Sequence, residues 1–251
     1  MLGIFAGVGF MDRRLRENPL WSVLVEVAKS LPLYPQHKAY VRDKILPREP
    51  EITPEELSKR LGIPLGEALV ILSELRLNWS DVEEELRNSL PKPRYKKAAL
   101  GGTFNEVHRG HLALILTGLK TGEKLVIGVT TDELARRMGK KHAVKAFRER
   151  VKNLEETLKK YGWRDRCEIV ALEDPYGPAA TDPELEALVA SPFTYGRALE
   201  VNKIRRSRGL RELVIVLAPI VLAEDGGVIS STRIACGEIT PEGRVKVRQH
   251  P

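Results

Sequence analysis

Apolar positions follow two rhythms along this chain, and the change between them falls near residue 93. Upstream, apolar residues recur three and four apart. Thr53-Pro54-Glu55-Glu56 reads as a helix start, with a capping hydroxyl, a proline where the first helical N–H needs no partner, and acid in the first turn. Leu57 and Leu61 continue that helix. After Gly62, Leu65, Leu69, Leu72 and Leu75 resume helical spacing to about Leu77, as a core or interface stripe. A further acidic helix is predicted from Asp81 to Leu90. Pro91 and Pro93 then favour extended chain and end any helix before them.

Downstream, short apolar runs alternate with amphipathic stretches. Strands are predicted at Tyr95–Leu100, Lys124–Val129, Arg166–Leu172 and Arg211–Leu217, and helices at His111–Leu119, Ala146–Lys160 and Tyr195–Arg208. Continuous apolar strands separated by helices imply parallel pairing in a sheet covered on both faces. The expected fold is α/β, a doubly wound parallel sheet over residues 94–251, with a small, mainly helical accessory domain over 1–93.

Composition narrows the setting. The chain has 251 residues, 41 Lys+Arg against 34 Asp+Glu, and a formal net charge of +7. No apolar run approaches the roughly 20 residues that span a bilayer. Met1–Phe10 is mildly apolar but lacks a basic leader, and Asp12-Arg13-Arg14 interrupts it, so it reads as the start of a strand or helix and not as a signal peptide. Cys167 and Cys236 are the only cysteines, too few for a disulfide framework or a metal knuckle. A cytoplasmic protein is expected. Abundant Glu, Lys and Arg beside few Cys and Met suggest a heat-adapted source.

The positive charge suits nucleic acid or polyphosphate substrates equally. Thr53–Leu77 has the outline of a helix-turn-helix, with Leu61-Gly62-Ile63 as its turn. Pro64–Leu75 carries no basic residue, however, and Glu67 and Glu74 would repel phosphate. Nucleic-acid binding is therefore not expected. An accessory role or homo-oligomer contact suits residues 1–93 better.

The chemistry concentrates after the first strand. Gly101-Gly102-Thr103-Phe104 lies where an open parallel sheet binds ligands, beyond the carboxyl ends of its strands. Glycines let backbone N–H groups approach phosphate, and Thr103 adds a hydroxyl. In His108-Arg109-Gly110-His111, Gly110 permits a tight turn and His111 falls in the first turn of the next helix, at the positive end of its dipole. Two imidazoles there can donate to triphosphate oxygens and stabilise developing charge. A zinc site is the weaker reading, since neither cysteine is nearby in sequence. Ser230, Ser231 and Thr232 open a second short helix with three hydroxyls in a row, where a plain N-cap needs one.

Gly-Thr-Phe followed by His-x-Gly-His resembles the signature of the nucleotidylyltransferase superfamily, which is similar in that motif to class I aminoacyl-tRNA synthetases. Ile229-Ser230-Ser231-Thr232-Arg233-Ile234 resembles its second signature. Between them, Gly128–Asp132, Asp174–Pro178, Ser191, Asn202, Arg206, Gly209-Leu210 and Ala223–Gly226 resemble the phosphopantetheine adenylyltransferases of archaeal and eukaryotic type, over about residues 95–243.

The resemblance implies a Rossmann-like fold and adenylyl transfer from ATP to 4′-phosphopantetheine, giving dephospho-coenzyme A and pyrophosphate. Mg²⁺ would travel on phosphate oxygens and water. An acceptor such as flavin mononucleotide or nicotinamide mononucleotide, or a regulator keeping the domain as a ligand sensor, are the alternatives. The resemblance assigns His108, His111 and Arg233 to catalysis. It assigns Gly101, Gly102, Thr103, Phe104, Gly110, Ser230, Ser231 and Thr232 to ATP, with Arg233 as a pyrophosphate clamp, and Lys145, Arg150, Asp174 and Gly177 to the acceptor, although turn chemistry alone would also explain Asp174 and Gly177. Asp132 reads as a helix cap or a site residue. The chain departs from the pattern at Ala235, where the family commonly has arginine, with Arg244 on a later loop as candidate replacement. It departs again at Pro192-Phe193, where an acidic residue often follows the serine matched by Ser191.

Overall fold

The structure, a computed structural model, describes residues 18–77, 82–83, 90, 92–139 and 143–246. Met1–Phe10 and most of the predicted acidic helix lie outside the described residues, as do Lys140, Lys141 and His142. No helix among the described residues is long and apolar enough to cross a membrane.

The N-terminal part is helical. Helices α1 (Trp21–Ser30) and α2 (Tyr34–Tyr40) precede a π-helical turn (Val41–Ile45), α3 (Pro54–Leu61), α4 (Leu65–Leu75) and a two-residue strand, β1 (Arg76–Leu77). The predicted start of α3 forms as a capping box. Glu56 N–H donates to Thr53 Oγ1 at 3.2 Å, and Thr53 N–H donates to Glu56 Oε2 at 2.9 Å. Gly62 closes α3 at φ 64°, a left-handed position that suits glycine.

The apolar stripe of α4 is rotated from its predicted setting. Leu65 is exposed, while Ala68, Val70, Ile71, Leu72 and Leu75 are buried. Glu67 and Glu74 point inward to partners. Glu67 lies 2.7 Å from His37 Nδ1, and Glu74 accepts from Tyr34 Oη at 2.7 Å and from Lys38 Nζ at 2.5 Å. These acids tie α4 to α2.

The second part is the expected α/β layer. Its elements are β2 (Tyr95–Gly102), α5 (Arg109–Thr121), β3 (Gly122–Thr130), α6 (Asp132–Arg137), α7 (Phe147–Lys160), β4 (Cys167–Leu172), β5 (Ala187–Ala190), α8 (Tyr195–Ser207), β6 (Val214–Leu217), β7 (Ile220–Val221) and α9 (Ser231–Ala235). Five parallel strands stand in the order β4-β3-β2-β5-β6. Alternate side chains feed two cores. Ala98, Leu100, Leu125, Ile127, Val129, Ala187 and Val189 pack with α5 and α7. Ala99, Val126, Leu188 and Ala190 pack with Ala198 and Val201 of α8 on the other face. The connections reverse between β2 and β5, which makes that crevice the place where such a sheet takes ligands.

Two strands depart from the sequence reading. β5 carries no sequence signal, because Ala-Leu-Val-Ala is too short for a period and half of it has low strand propensity. β6 begins at Val214 and not at Arg211. Asn202 explains this by capturing Leu213 through both backbone groups: Leu213 N–H donates to Asn202 Oδ1 at 2.8 Å, and Asn202 Nδ2 donates to Leu213 O at 2.9 Å.

The two parts share a core. Ile220, Leu222 and Val228 pack with Val41, Leu46, Leu57 and Ile71, and β1 pairs in parallel with β7. Arg42 adds a polar contact, lying 4.4 Å over the Tyr195 ring and donating to its hydroxyl at 3.0 Å. A chain beginning at residue 94 exposes those three apolar side chains to water. Each is worth about 1.5–3 kcal/mol when buried, so the shortened chain is expected to unfold at a clearly lower urea midpoint than the full chain. Equal midpoints would show that the shared core contributes nothing.

Candidate active site

The described site lies at the carboxyl ends of β2 and β3, where Gly101-Gly102 passes into the loop before α5. Local packing explains the residue types. A Cβ on Gly102 would stand 2.9 Å from the Phe104 ring, and one on Gly101 would stand 3.3 Å from Leu172. Phe104 has φ 52°, which costs a non-glycine residue on the order of 1 kcal/mol. That turn drives its ring wholly into the core, under the histidine pair. Phe104 was expected to touch nucleotide. Its burial makes it a support for His111 instead, with ring centroids 4.7 Å apart.

His108 caps α5 with extended backbone, and His111 follows in the first turn. The two rings stack at 3.9 Å. Gly110 makes room for the stack, since a Cβ there would lie 3.0 Å from the His108 ring. His111 Nδ1 is 3.1 Å from the Glu106 carbonyl oxygen, which can only accept, so Nδ1 carries the proton. His108 is buried, and its Nδ1 has no hydrogen-bond partner. Burial, and then the neighbouring His111, hold the His108 imidazolium well below the usual histidine range, so the ring is neutral at pH 7.

The second signature folds against this turn. A Cβ on Gly110 would be 3.7 Å from the Ile229 carbonyl oxygen, which places Ile229–Thr232 beside the histidines. Ser230 Oγ accepts from Arg233 N–H at 3.3 Å as the N-cap of α9. The hydroxyls of Ser231 and Thr232 bond to nothing among the described residues. The loop after α9 closes on the same turn, with Arg109 N–H donating to Pro241 O at 3.1 Å; burial first, and to a smaller extent the exposed Arg244, disfavour the Arg109 charge.

Several residues expected to meet substrate are engaged by protein instead. Arg150 is fully buried. It donates to Lys145 O at 2.8 Å, Thr103 O at 2.8 Å, Thr130 Oγ1 at 3.4 Å and Asp132 Oδ1 at 2.9 Å, which leaves no free fork for a phosphate. The same contact settles Asp132, whose carboxylate is held below its ordinary range first by Arg150 and then by the Phe147 N–H. Lys145 pairs with Glu106 at 2.8 Å and Glu149 at 3.4 Å.

Arg233, expected as a pyrophosphate clamp, pairs with Asp225, with Glu238 at 3.0 Å and with Val228 O at 3.2 Å. Asp174 is exposed and accepts from the N–H groups of Tyr176 at 2.7 Å and Gly177 at 2.8 Å. Gly177 sits at φ 49°, where a Cβ would meet Leu172 at 2.3 Å. Asp174 and Gly177 thus build a turn, the alternative that the sequence left open for them.

That turn walls a cleft of about 920 Å³, including its open mouth, which Pro175, Tyr176 and Pro178 line together with Thr103 at the carboxyl end of β2. Sequence reading missed Asn105. Its buried amide accepts from Lys145 N–H at 2.7 Å and donates to Ala143 O at 3.1 Å, fastening the loop to the segment before α7. A lone asparagine after Gly-Thr-Phe gives no sequence sign of that partner.

The state of His108 makes stability depend on pH. The unfolded chain takes up its proton near pH 6.5, whereas the folded chain takes it only at much lower pH. Below pH 6.5 the unfolded state therefore binds more protons. The contribution is intact above that value and is lost as pH falls through the window beneath it. Urea unfolding of the wild type and of His108→Gln at about pH 7.5 and about pH 5 is expected to show a smaller acid loss in the variant. Equal losses would contradict a buried neutral imidazole.

Comparison with known proteins agrees with this geometry. Residues 99–237 match the family model described as cytidylyltransferase-like. A phosphopantetheine adenylyltransferase of Methanopyrus kandleri is 46% identical over 149 residues, spanning 59% of this chain and 94% of the relative. One from Methanothermobacter thermautotrophicus is 44% identical over 157 residues, spanning 61% and 92%. One from Archaeoglobus fulgidus is 42% identical over 151 residues, spanning 59% and 99%. With both signatures brought together at the head of a five-stranded parallel sheet, the chain belongs to the cytidylyltransferase-like nucleotidyltransferases and, within them, to the archaeal phosphopantetheine adenylyltransferase family.

Proposed function

We propose that the protein transfers the adenylyl group of ATP to 4′-phosphopantetheine, giving dephospho-coenzyme A and pyrophosphate in coenzyme A biosynthesis. The observation that carries this reading is the stacked His108–His111 pair packed beside Ile229–Thr232, in a chain whose relatives bear that name. An oxygen of the acceptor's phosphate attacks the α-phosphorus of ATP, and the bond to the β-phosphate breaks as pyrophosphate leaves. The nucleophile is already anionic, so the site needs no strong base. Its work is positioning and charge stabilisation.

The chain's own groups divide that work. Gly101, Gly102 and Thr103 present N–H groups and a hydroxyl to the reacting phosphates. His111 has its Nδ1 proton on Glu106 O, so it donates to a phosphate oxygen through Nε2 when the ring is cationic. The stack makes a second cation beside it unfavourable, which suits a neutral His108 as partner. Ser231 and Thr232 offer hydroxyls to the pyrophosphate portion, with Arg244 the nearby cation in place of Ala235.

Mg²⁺ would be carried by triphosphate oxygens and water and would neutralise charge there. Among the described residues, no group of three or more His, Cys, Asp or Glu side chains is arranged as a cage. The two-part organisation, 1–93 and 94–251, belongs to the same reading, as do a cytoplasmic setting with two free cysteines and self-association through α1, where Leu20, Val23 and Val27 are exposed at helical spacing.

The test is an acceptor panel with ATP and Mg²⁺, following pyrophosphate release. Product is expected with 4′-phosphopantetheine and not with flavin mononucleotide or nicotinamide mononucleotide. The opposite pattern would keep the reaction class and remove the substrate. His111→Ala is expected to lower kcat by about 10²–10³-fold, the range for loss of one donor to developing charge, with little change in Tm. Unchanged turnover in that variant would sink the mechanism.

A further inference from the structure

The acceptor is itself a phosphate dianion, and the cations first matched to it are engaged elsewhere: Arg150 inside the protein, Lys145 by two carboxylates. We propose that Arg197 is the residue that binds the acceptor's phosphate. The inference rests on the adenylyl-transfer reading above and adds the positioning residue that this reading lacks.

Three observations carry it. First, among the described residues, Arg197 is the one charged residue lining the cleft that also holds Gly101, Gly102 and Thr103. It is exposed there and has no ion-pair partner among the described residues. Second, the strand register brings it to the right rim. Ala99 of β2 stands opposite Leu188 of β5, β5 ends at Ala190, and Ala190 lines the same cleft as Gly102. The chain then turns through Ser191–Thr194 and starts α8, with Arg197 in the first turn. Third, its setting is electrostatically unfavourable without an anion. A cation in the first turn opposes the helix dipole, that turn contains no acidic residue, and none occurs in the Ser191–Thr194 approach. A phosphate monoester lodged between Thr103 and Arg197 relieves the conflict and receives a planar, charge-assisted fork.

The rest of the cleft suits the remainder of such an acceptor. Leu134, Met138, Leu172, Tyr176, Ala198 and Val201 give it a largely apolar wall, which accepts an uncharged chain leading away from the phosphate. Arg42 steadies this rim from the N-terminal helices by stacking on Tyr195, two residues before Arg197.

The experiment measures steady-state kinetics of the full chain as wild type, Arg197→Gln and Arg197→Lys, with calorimetric binding of 4′-phosphopantetheine and of pantetheine, which lacks the phosphate. Arg197→Gln is expected to raise KM for 4′-phosphopantetheine about ten- to a hundredfold, to leave KM for ATP within about twofold, and to leave pantetheine affinity unchanged. Arg197→Lys should recover part of the loss. An active wild type whose Arg197→Gln variant keeps the acceptor KM overturns the proposal alone. So does a variant that loses pantetheine and 4′-phosphopantetheine affinity equally, since Arg197 would then only shape the cleft. A wild type silent with 4′-phosphopantetheine overturns the underlying reading and the proposal with it.

Discussion

The site depends on one buried guanidinium. Arg150 stands in the first turn of α7, and its four hydrogen bonds reach the phosphate loop at Thr103, the end of β3 at Thr130, the start of α6 at Asp132 and the segment before its own helix at Lys145. Those four places would otherwise be separate loops at the top of the sheet, each with polar groups seeking partners. A lysine could not replace it, because only a planar fork with five N–H donors meets several acceptors at fixed angles. Removing it would take the partner from Thr103 O, Lys145 O and Thr130 Oγ1, a cost of about 1–3 kcal/mol for each acceptor left buried and unsatisfied. Asn105 doubles the tie from the other side of the loop.

With the loop so fixed, the strain beyond it becomes tolerable. Phe104 holds a left-handed backbone because its ring fills the core beneath His111. His108 holds an unpartnered Nδ1 because Gly110 leaves its ring room to stack. Each is unfavourable on its own, by on the order of 1–3 kcal/mol. Together they present two imidazoles face to face at a helix start, an arrangement that on the proposed reading needs little rearrangement as phosphate charge develops. That is the advantage of a preorganised site over flexible donors in water.

Much of this was legible from residue types. Gly-Gly-Thr-Phe after an apolar strand and His-x-Gly-His before an amphipathic helix have few structural uses, and the alternation of strands and helices sufficed for a parallel sheet. What the sequence concealed was partnership. Arg150, Lys145 and Arg233 are cations near phosphate-binding motifs, yet charge alone does not reveal that Thr103 O, Glu106 and Asp225 are their partners. Asp174 read as a pocket residue because an Asx turn and a ligand contact use the same side chain. β5 was invisible for a different reason: four residues are too few to carry a period, and its burial comes from neighbours on both sides and not from its own composition.

The N-terminal helices make the remaining case for long-range control. The family match begins at residue 99, so the sheet and both signatures lie outside them. Their core nevertheless takes in Val228, the residue before Ile229 and two before the hydroxyl run Ser230–Thr232. A Cβ on Gly227 would meet both Arg233 Nη1, at 2.5 Å, and the Glu51 carboxylate, at 2.8 Å, which puts the loop before α3 against the chain that leads into the second signature. At the other rim Arg42 grips Tyr195 at the head of α8. One helical unit therefore touches the segment that leads into Ser230–Thr232 and the first residue of α8. Two loops at the carboxyl end of the sheet are thus packed on the same helices, so loosening that unit would loosen both at once.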